Sequence, residues 1–204
     1  MPELVTSPPL LALVALLAYL LGSVPFGVVI TRLMGFGDLR QIGSGNIGAT
    51  NVLRTGSKPA ALATLVLDAG KGGAAVLVAR ALLGEDAAQL AGLAAFLGHL
   101  YPVWLKFHGG KGVATFFGTL LALSWPVGLA AGACWLAAAT IWRISSLAGL
   151  VAVASSTAWM MFFGQGEMIL LGIAFTLLVY WRHRANISRL RAGTEPKFGQ
   201  RKQG

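Results

Sequence analysis

Long apolar runs alternate with short polar segments along nearly the whole chain. A helix needs about 20 apolar residues to cross the hydrocarbon core of a bilayer, and several of these runs reach that length. The pattern predicts an all-α integral membrane protein, with a single membrane domain and seven transmembrane helices. The predicted spans are about 8–32, 58–83, 87–105, 113–124, 126–142, 145–163 and 168–181.

Local signals place two of the boundaries. Ser57 can cap a helix N-terminus, and Pro59 falls in the first turn, where its missing N–H is tolerated. The apolar stretch 113–142 is longer than one span needs. Trp125 and Pro126 in its middle are typical of a membrane interface and of a helix break. The sequence therefore predicts two spans in this stretch, the first of them short.

Composition narrows the class of protein. Hydrophobic residues make up 56% of the 204 residues and charged residues only 11%, against about 25% charged residues in an average soluble domain. The net charge of +9 comes from cations scattered at the ends of apolar runs, which predicts loops facing anionic lipid and argues against nucleic-acid binding. The single Cys134 excludes an intrachain disulfide and a cysteine-rich metal site.

The positive-inside rule gives the predicted spans an orientation. With alternating crossings, every Lys and Arg except Arg80 and Lys71 falls on one side of the membrane. That side is cytoplasmic, so the N-terminus is predicted outside and the C-terminus inside. A single crossing over 113–142 would move Arg143 to the outer side. Met1-Pro2-Glu3 lacks the basic start of a signal peptide, so the first span is expected to remain. Residues 192–204 are expected to form a flexible basic tail.

The most informative polar segment is Gly43-Ser44-Gly45-Asn46-Ile47-Gly48-Ala49-Thr50-Asn51-Val52-Leu53-Arg54. Closely spaced glycines let successive backbone N–H groups turn toward one anion. Ser44 and Arg54 are the strongest candidates, as a hydroxyl donor and a bidentate phosphate partner. A flexible linker is the alternative, but a linker does not need polar donors interleaved with apolar residues. The candidate substrate-binding residues of this first glycine loop are Gly43, Gly45, Asn46, Gly48, Thr50 and Asn51.

A second glycine loop, His108-Gly109-Gly110-Lys111-Gly112, also interrupts apolar sequence. Lys111 can act as a point charge facing a phosphate, and Gly109, Gly110 and Gly112 are further candidate substrate-binding residues. The loop lacks the spacing of a Walker A motif, and Gly112 stands where Ser or Thr would hold magnesium. ATP hydrolysis is therefore not expected. The sequence predicts instead that both glycine loops meet at the cytoplasmic face and bind phosphate.

Other polar residues lie inside or at the ends of spans. His183 and Asn186 are neighbours on a helix where the last span ends, and they either face a site or belong to a basic anchor. Asp68 and Lys71 are expected to form a structural ion pair, with a proton path as the alternative. His99 is expected to be packed and hydrogen-bonded. The three histidines are too scattered to indicate a zinc site.

Four segments together closely resemble the motifs of the bacterial PlsY family. They are Gly43 to Arg54, Gly98-His99-Leu100-Tyr101-Pro102, Gly109-Gly110-Lys111-Gly112-Val113-Ala114-Thr115 and His183-Arg184-Ala185-Asn186-Ile187. The resemblance extends from about Ala18 to Leu190, in order and at the expected spacing. It implies a seven-helix enzyme of the bacterial cell inner membrane that transfers an acyl group from acyl phosphate to glycerol 3-phosphate in phospholipid synthesis.

The resemblance also implies roles for particular residues. The catalytic residues carried over from the family are Ser44, Arg54, Lys111, His183 and Asn186. The implied partners are glycerol 3-phosphate, acyl phosphate and membrane lipid, with no cofactor, metal, nucleic acid or obligatory protein partner. One departure is His108, where many relatives have lysine. The alternative from the residues alone is a transporter or channel for a phosphorylated anion, with broken helices around an anion site.

Overall fold

The computed structural model describes residues 2–198, and every regular element in this range is helical. The prediction of an all-α protein is therefore confirmed for the described residues. The chain forms two compact units, residues 1–125 and 126–204. The first unit carries both glycine loops, and the second carries the His183-Arg184-Ala185-Asn186 segment.

The first predicted span is two helices rather than one. Helix α1 runs over Pro8–Gly22 and α2 over Phe26–Leu33. The break falls at Pro25, which has no N–H to donate into a continuing helix. Ser23 bonds back through its Oγ to the Tyr19 carbonyl at 2.8 Å. The stretch Pro8–Leu33 as a whole still has the length and hydropathy of a membrane span, so the predicted span over 8–32 contains a break at Pro25.

Short helical turns make up the segment after α2 that carries the first glycine loop. They are the 3₁₀ turns Leu39–Gln41 and Leu53–Thr55 and the short helix α3, Ala49–Val52. Helix α4 follows over Lys58–Leu83, and Ser57 caps it by accepting a hydrogen bond from the Ala60 N–H at 3.2 Å. The predicted boundaries and cap of this helix are confirmed.

Helices α5, Glu85–Leu100, and α6, Val113–Leu123, complete the first unit. Both pack closely through glycine. A Cβ added at Gly22 of α1 would overlap the backbone of Ala95 in α5, and a Cβ at Gly118 of α6 would overlap the backbone of Ala69 in α4. Such small-residue contacts are typical of membrane helices, where close backbone approach replaces a hydrophobic driving force.

The contact at Gly118 leads to a stability prediction. We expect Gly118→Ala to lower the thermal unfolding midpoint in detergent by about 5 °C, because overpacking costs about 1–3 kcal/mol. The matched control is Gly70→Ala in α4, where a Cβ would meet nothing within 4 Å. The control should leave the midpoint unchanged or raise it, since alanine favours a helix over glycine. Equal midpoints for the two variants would show that the α4–α6 contact is not tight.

The second unit begins with α7, Trp125–Trp142, whose first residue belongs to the first unit. It continues with α8, Ser145–Phe162, and α9, Ile169–Arg182. The thiol of Cys134 in α7 accepts a hydrogen bond from the Trp159 indole at 3.3 Å. A further short helix, α10, covers Arg184–Arg191, between the last predicted span and the predicted tail.

Residues 192–198, expected to be part of a flexible tail, make defined contacts within the second unit. The Phe198 N–H donates to the Arg143 carbonyl at 2.7 Å, and the Phe198 side chain packs against the apolar cluster of Ala138, Ala139 and Ala148. The rest of the expected tail, 199–204, lies outside the described residues.

Within residues 2–198, five helical stretches are long and apolar enough to cross a membrane. They are Pro8–Leu33, Lys58–Leu83, Glu85–Leu105, Trp125–Trp142 and Ser145–Phe162. Helices α6 and α9 are shorter, with 11 and 14 residues. The integral membrane character is thus supported by length and composition, while the predicted count of seven crossings depends on these two shorter helices.

Candidate active site

The first glycine loop is organised around the buried side chain of Asn51. Asn51 is only 1% exposed. Its Nδ2 donates to the carbonyl oxygens of Leu39 at 3.1 Å and Ile42 at 2.9 Å. Its Oδ1 accepts the Ser44 N–H at 3.1 Å. The amide is therefore used inside the protein, where it organises the loop, and direct contact of Asn51 with substrate stays a prediction.

Ser44 and Arg54 are exposed and share Asn51 as their anchor. The Ser44 Oγ and the Arg54 Nη1 each lie 3.4 Å from the Asn51 Oδ1. A Cβ at Gly43 would lie 2.6 Å from both Cδ and Nη1 of Arg54. The Arg54 side chain therefore lies against the Gly43 backbone, where φ is +57°. A hydroxyl and a guanidinium side by side on one acceptor form a suitable pair of donors for a phosphate.

Apolar residues of the same loop fix it to the helices. Ile47 and Val52 are buried in a cluster with Val28 of α2 and Ala60 of α4. The Ile47 carbonyl lies so close to Gly27 of α2 that a Cβ there would overlap it. The alternation of polar and apolar positions that the sequence shows thus separates exposed donors from buried anchors.

Other members of the first loop take local roles. The Asn46 N–H lies 3.5 Å from the Ser44 Oγ, and the Gly45 N–H donates to the Ile42 carbonyl at 3.0 Å. Gly48 is the N-cap of α3, and Thr50 in its first turn is exposed. Direct substrate contact by these residues stays a prediction.

The second glycine loop closes the end of α5. The Gly109 N–H donates to the Leu100 carbonyl at 3.2 Å, and the Gly110 N–H donates to the His99 carbonyl at 3.1 Å. Carbonyls at a helix C-terminus lack partners within the helix, and these two amides supply them. Gly112, with φ of +85°, lies against the Phe96 ring. The structure thus gives the three glycines packing and closure roles, and their contact with phosphate stays a prediction.

Lys111 is the lysine of the second glycine loop. It is half-buried between Gly110 and the first turn of α6. His108, which stands where a lysine was expected, is exposed and places its Nδ1 2.6 Å from the Lys106 carbonyl. That contact holds His108 in the local turn, so Lys111 remains the candidate phosphate ligand of this loop.

In the second unit, His183 and Asn186 are both buried, at 2% and 4% exposure. The His183 Nδ1 lies 2.9 Å from the Val179 carbonyl. Since a carbonyl only accepts, the neutral ring carries its proton on Nδ1, and Nε2 is the nitrogen with a lone pair. The predicted sharing of one helix face is confirmed, because Arg184 and Ala185 between them are exposed.

Sequence reasoning missed Glu195, which gathers three donors of the second unit. Its carboxylate accepts the Ser146 Oγ at 2.6 Å, the Asn186 Nδ2 at 2.5 Å and the Arg189 Nε at 2.7 Å. Burial opposes ionisation of Glu195, but these hydrogen bonds outweigh it and lower its pKa. The only signal in the sequence is an isolated acidic residue in a basic segment.

The depressed pKa of Glu195 predicts a pH-dependent contribution to stability. The contribution should be complete above the ordinary value of 4.5 and be lost as pH falls through the lower folded value. We expect Glu195→Gln to lower the unfolding midpoint at pH 7 by about 5 °C, because hydrogen bonds to a charged group are lost. The difference between the two proteins should shrink below pH 4.5. A difference that stays constant across this range would contradict the assignment.

Among the described residues, no group of three or more His, Cys, Asp and Glu side chains is arranged to hold a metal ion. The candidate site residues are Ser44, Arg54 and Lys111 in the first unit and His183 and Asn186 in the second.

Comparison with known proteins identifies the family of this chain. Residues 12–193 match the family model described as glycerol-3-phosphate acyltransferase. The chain belongs to this family. A glycerol-3-phosphate acyltransferase of Dinoroseobacter shibae is 65% identical over 99% of the chain and 100% of its own length. One of Ruegeria pomeroyi is 63% identical over 98% and 99%.

Two solved structures share the fold. The crystal structure of PlsY, an integral membrane glycerol 3-phosphate acyltransferase, in its glycerol 3-phosphate form has a TM-score of 0.87 and 40% identity, covering 93% of this chain and 96% of its own. The lysophosphatidic acid form has a TM-score of 0.86 and 39% identity, covering 93% and 95%. The resemblance to the PlsY family is therefore confirmed, and the chain is an integral membrane protein of this acyltransferase family.

Proposed function

We propose that this protein transfers an acyl group from an acyl phosphate to the 1-hydroxyl of glycerol 3-phosphate. The products are 1-acyl-glycerol 3-phosphate and phosphate. The observation that carries the proposal is the exposed Ser44–Arg54 pair anchored on Asn51, in a member of the glycerol-3-phosphate acyltransferase family. Solved relatives named for glycerol 3-phosphate and lysophosphatidic acid support the same acceptor and product for this chain.

The proposed setting is the inner membrane of a bacterium, crossed seven times. Helices α6 and α9 would be the two short crossings. The N-terminus would lie outside and the candidate site would face the cytoplasm. This topology is supported by the positive-inside count, in which Arg80 and Lys71 are the exceptions among the 16 Lys and Arg residues.

The proposed donor is the one that the family resemblance implies, and its chemistry suits the residues of the site. An acyl phosphate is a mixed anhydride with an activated carbonyl and phosphate as leaving group. The hydroxyl oxygen of the acceptor bonds to the acyl carbon while the bond from that carbon to the phosphate oxygen breaks. Such a reaction needs positioning and charge stabilisation more than a covalent enzyme nucleophile. Arg54 and Lys111 supply the charge, and Ser44 supplies a hydroxyl donor, while the acyl chain remains in bilayer hydrocarbon.

We assign the hydroxyl proton to a phosphate oxygen of the substrate, with His183 contributing to binding. On this assignment, His183→Ala should raise the KM for glycerol 3-phosphate and lower turnover by less than about tenfold. A general base would be worth about 100-fold or more in turnover. Steady-state kinetics of the purified variant therefore separate the two roles. A loss of 100-fold or more in kcat would make His183 the base.

The donor is tested by supplying purified protein with glycerol 3-phosphate and, separately, acyl phosphate, acyl-CoA or acyl carrier protein thioester. We expect lysophosphatidic acid only from acyl phosphate. Product from a thioester alone would replace the proposed donor while keeping the acceptor. No product from any donor, with folded protein, would favour transport of a phosphorylated anion instead.

A further inference from the structure

The first unit contains a buried cluster of ionisable residues outside the candidate site. Asp68 and Lys71 of α4 and His99 of α5 are 2%, 4% and 3% exposed. The Lys71 Nζ lies 2.8 Å from the Asp68 Oδ1, and the His99 Nδ1 lies 3.5 Å from the same oxygen. The ion pair predicted from the sequence is confirmed, and the His99 ring of α5 faces the same carboxylate oxygen.

Lys71 connects this cluster to the first glycine loop. Its Nζ also donates to the Val24 carbonyl at 2.8 Å, directly at the break between α1 and α2. The ammonium lies 5.7 Å from the centre of the Phe26 ring. One residue further on, Gly27 is in close contact with the Ile47 carbonyl of the first loop. Lys71 therefore stabilises the break between α1 and α2, and α2 in turn contacts the first glycine loop.

His99 connects the cluster to the second glycine loop. Its backbone carbonyl accepts the Gly110 N–H at 3.1 Å. The Nε2 edge of its ring lies so close to Gly110 that a Cβ there would overlap it. Gly110 immediately precedes Lys111, so the ring defines the surface on which the candidate phosphate ligand of this loop is presented.

The two loops engage α4 at different levels. The first loop packs beside Ala60. The second loop contacts His99, whose ring faces Asp68. Residues 60 and 68 are about 12 Å apart along a helix. The candidate donors Arg54 and Lys111 belong to different loops. A group that fixes both loops relative to α4 therefore also fixes the positions of these two donors relative to each other.

We propose that Asp68 is a positioning residue for the acyltransferase reaction, because it holds Lys71 and His99 and, through them, both glycine loops. The proposal rests on the proposed function and deepens it. Asp68 is buried and would act through its two partners. A buried ion pair is a weak source of net stability, since apolar residues of similar volume often replace it without loss. Its proposed contribution is to fix the positions of Lys71 and His99.

The test compares single and double variants of the full-length protein in detergent. Asp68→Asn leaves the Lys71 ammonium buried without its carboxylate, so we expect the unfolding midpoint to fall by about 10 °C. The double variant Asp68→Asn/Lys71→Met removes both charges and should recover most of that loss. Its kcat/KM for glycerol 3-phosphate should nevertheless remain about 100-fold below wild type, because misplaced ligands cost about that much.

His99→Leu provides an independent arm that keeps the Asp68–Lys71 pair intact. We expect a midpoint close to wild type and a raised KM for glycerol 3-phosphate, with part of the effect reversed in His99→Gln. The matched control is Thr64→Val, because the Thr64 hydroxyl is buried in α4 and bonds only to the Ala60 carbonyl of its own helix. The control should show wild-type KM and kcat.

The outcomes separate the proposals. Recovery of kcat/KM together with the midpoint in the double variant, or unchanged kinetics in His99→Leu, would overturn the positioning role. Persistent kinetic loss in a thermally recovered double variant supports it. A folded wild-type protein that forms no product from acyl phosphate and glycerol 3-phosphate would instead reject the proposed function, independently of any variant.

Discussion

Replacing Arg54 with alanine is expected to lower kcat/KM for glycerol 3-phosphate by about 10³-fold. Loss of one well-placed donor to developing negative charge typically costs about 10²–10³ in rate, and Arg54 also carries a full charge for substrate binding. The guanidinium is exposed and lies along the Gly43 backbone, where a Cβ would come within 2.6 Å of it. No other side chain of the first loop can replace its planar pair of donors.

The measurement is steady-state kinetics of purified variants with both substrates varied. Arg54→Lys should fall between wild type and Arg54→Ala, because lysine keeps the charge but not the bidentate geometry. Arg40→Ala is the matched control, since the exposed Arg40 side chain pairs with Asp38, with Nη2 2.6 Å from Oδ2. Arg54→Ala protein that retains more than a tenth of wild-type kcat/KM would contradict the assignment.

Asn51→Leu is expected to affect both stability and activity. The substitution removes the partners of the Leu39 and Ile42 carbonyls and of the Ser44 N–H. Each buried polar group left without a partner costs about 1–3 kcal/mol. A total of about 3 kcal/mol corresponds to a fall in the unfolding midpoint of about 10 °C. We also expect kcat/KM to fall at least about 100-fold, because Ser44 and Arg54 lose their common anchor.

Thermal unfolding and kinetics at a temperature where the variant stays folded would measure the two effects separately. Thr55→Val serves as the control, because the Thr55 hydroxyl makes local hydrogen bonds, donating to the Val52 carbonyl at 2.8 Å and accepting the Ser57 N–H at 3.4 Å. Thr55→Val should lose little stability and little activity. A stable Asn51→Leu protein with normal kinetics would mean that the loop holds its shape without this side chain.

Much of the helical fold is predictable from hydropathy and local chemistry. The limits of α4 follow from Ser57 and Pro59 at one end and a short acidic turn at the other. The break at Pro25 is not visible in the same way, since the sequence is apolar on both sides. Polar backbone groups freed within a membrane span need partners, and the side-chain partner of the Val24 carbonyl is Lys71, 47 residues away.

The candidate site is predictable in its residue types and less so in its division of roles. Closely spaced glycines and donors indicated an anion-binding loop, and Ser44 and Arg54 do share one anchor. Asn51 anchors the loop partly through its hydrogen bond to the Leu39 carbonyl, 12 residues away. Glu195 depends on Ser146, 49 residues away. Neither contact leaves a periodic signal in the sequence.

The most direct test of the central claim is the stoichiometry of the reaction in purified protein reconstituted in lipid. Phosphate release and lysophosphatidic acid formation are measured together after mixing acyl phosphate with glycerol 3-phosphate. We expect one phosphate for each lysophosphatidic acid, with both signals requiring both substrates. Phosphate released without an acylated product, or no product from folded protein, would contradict it.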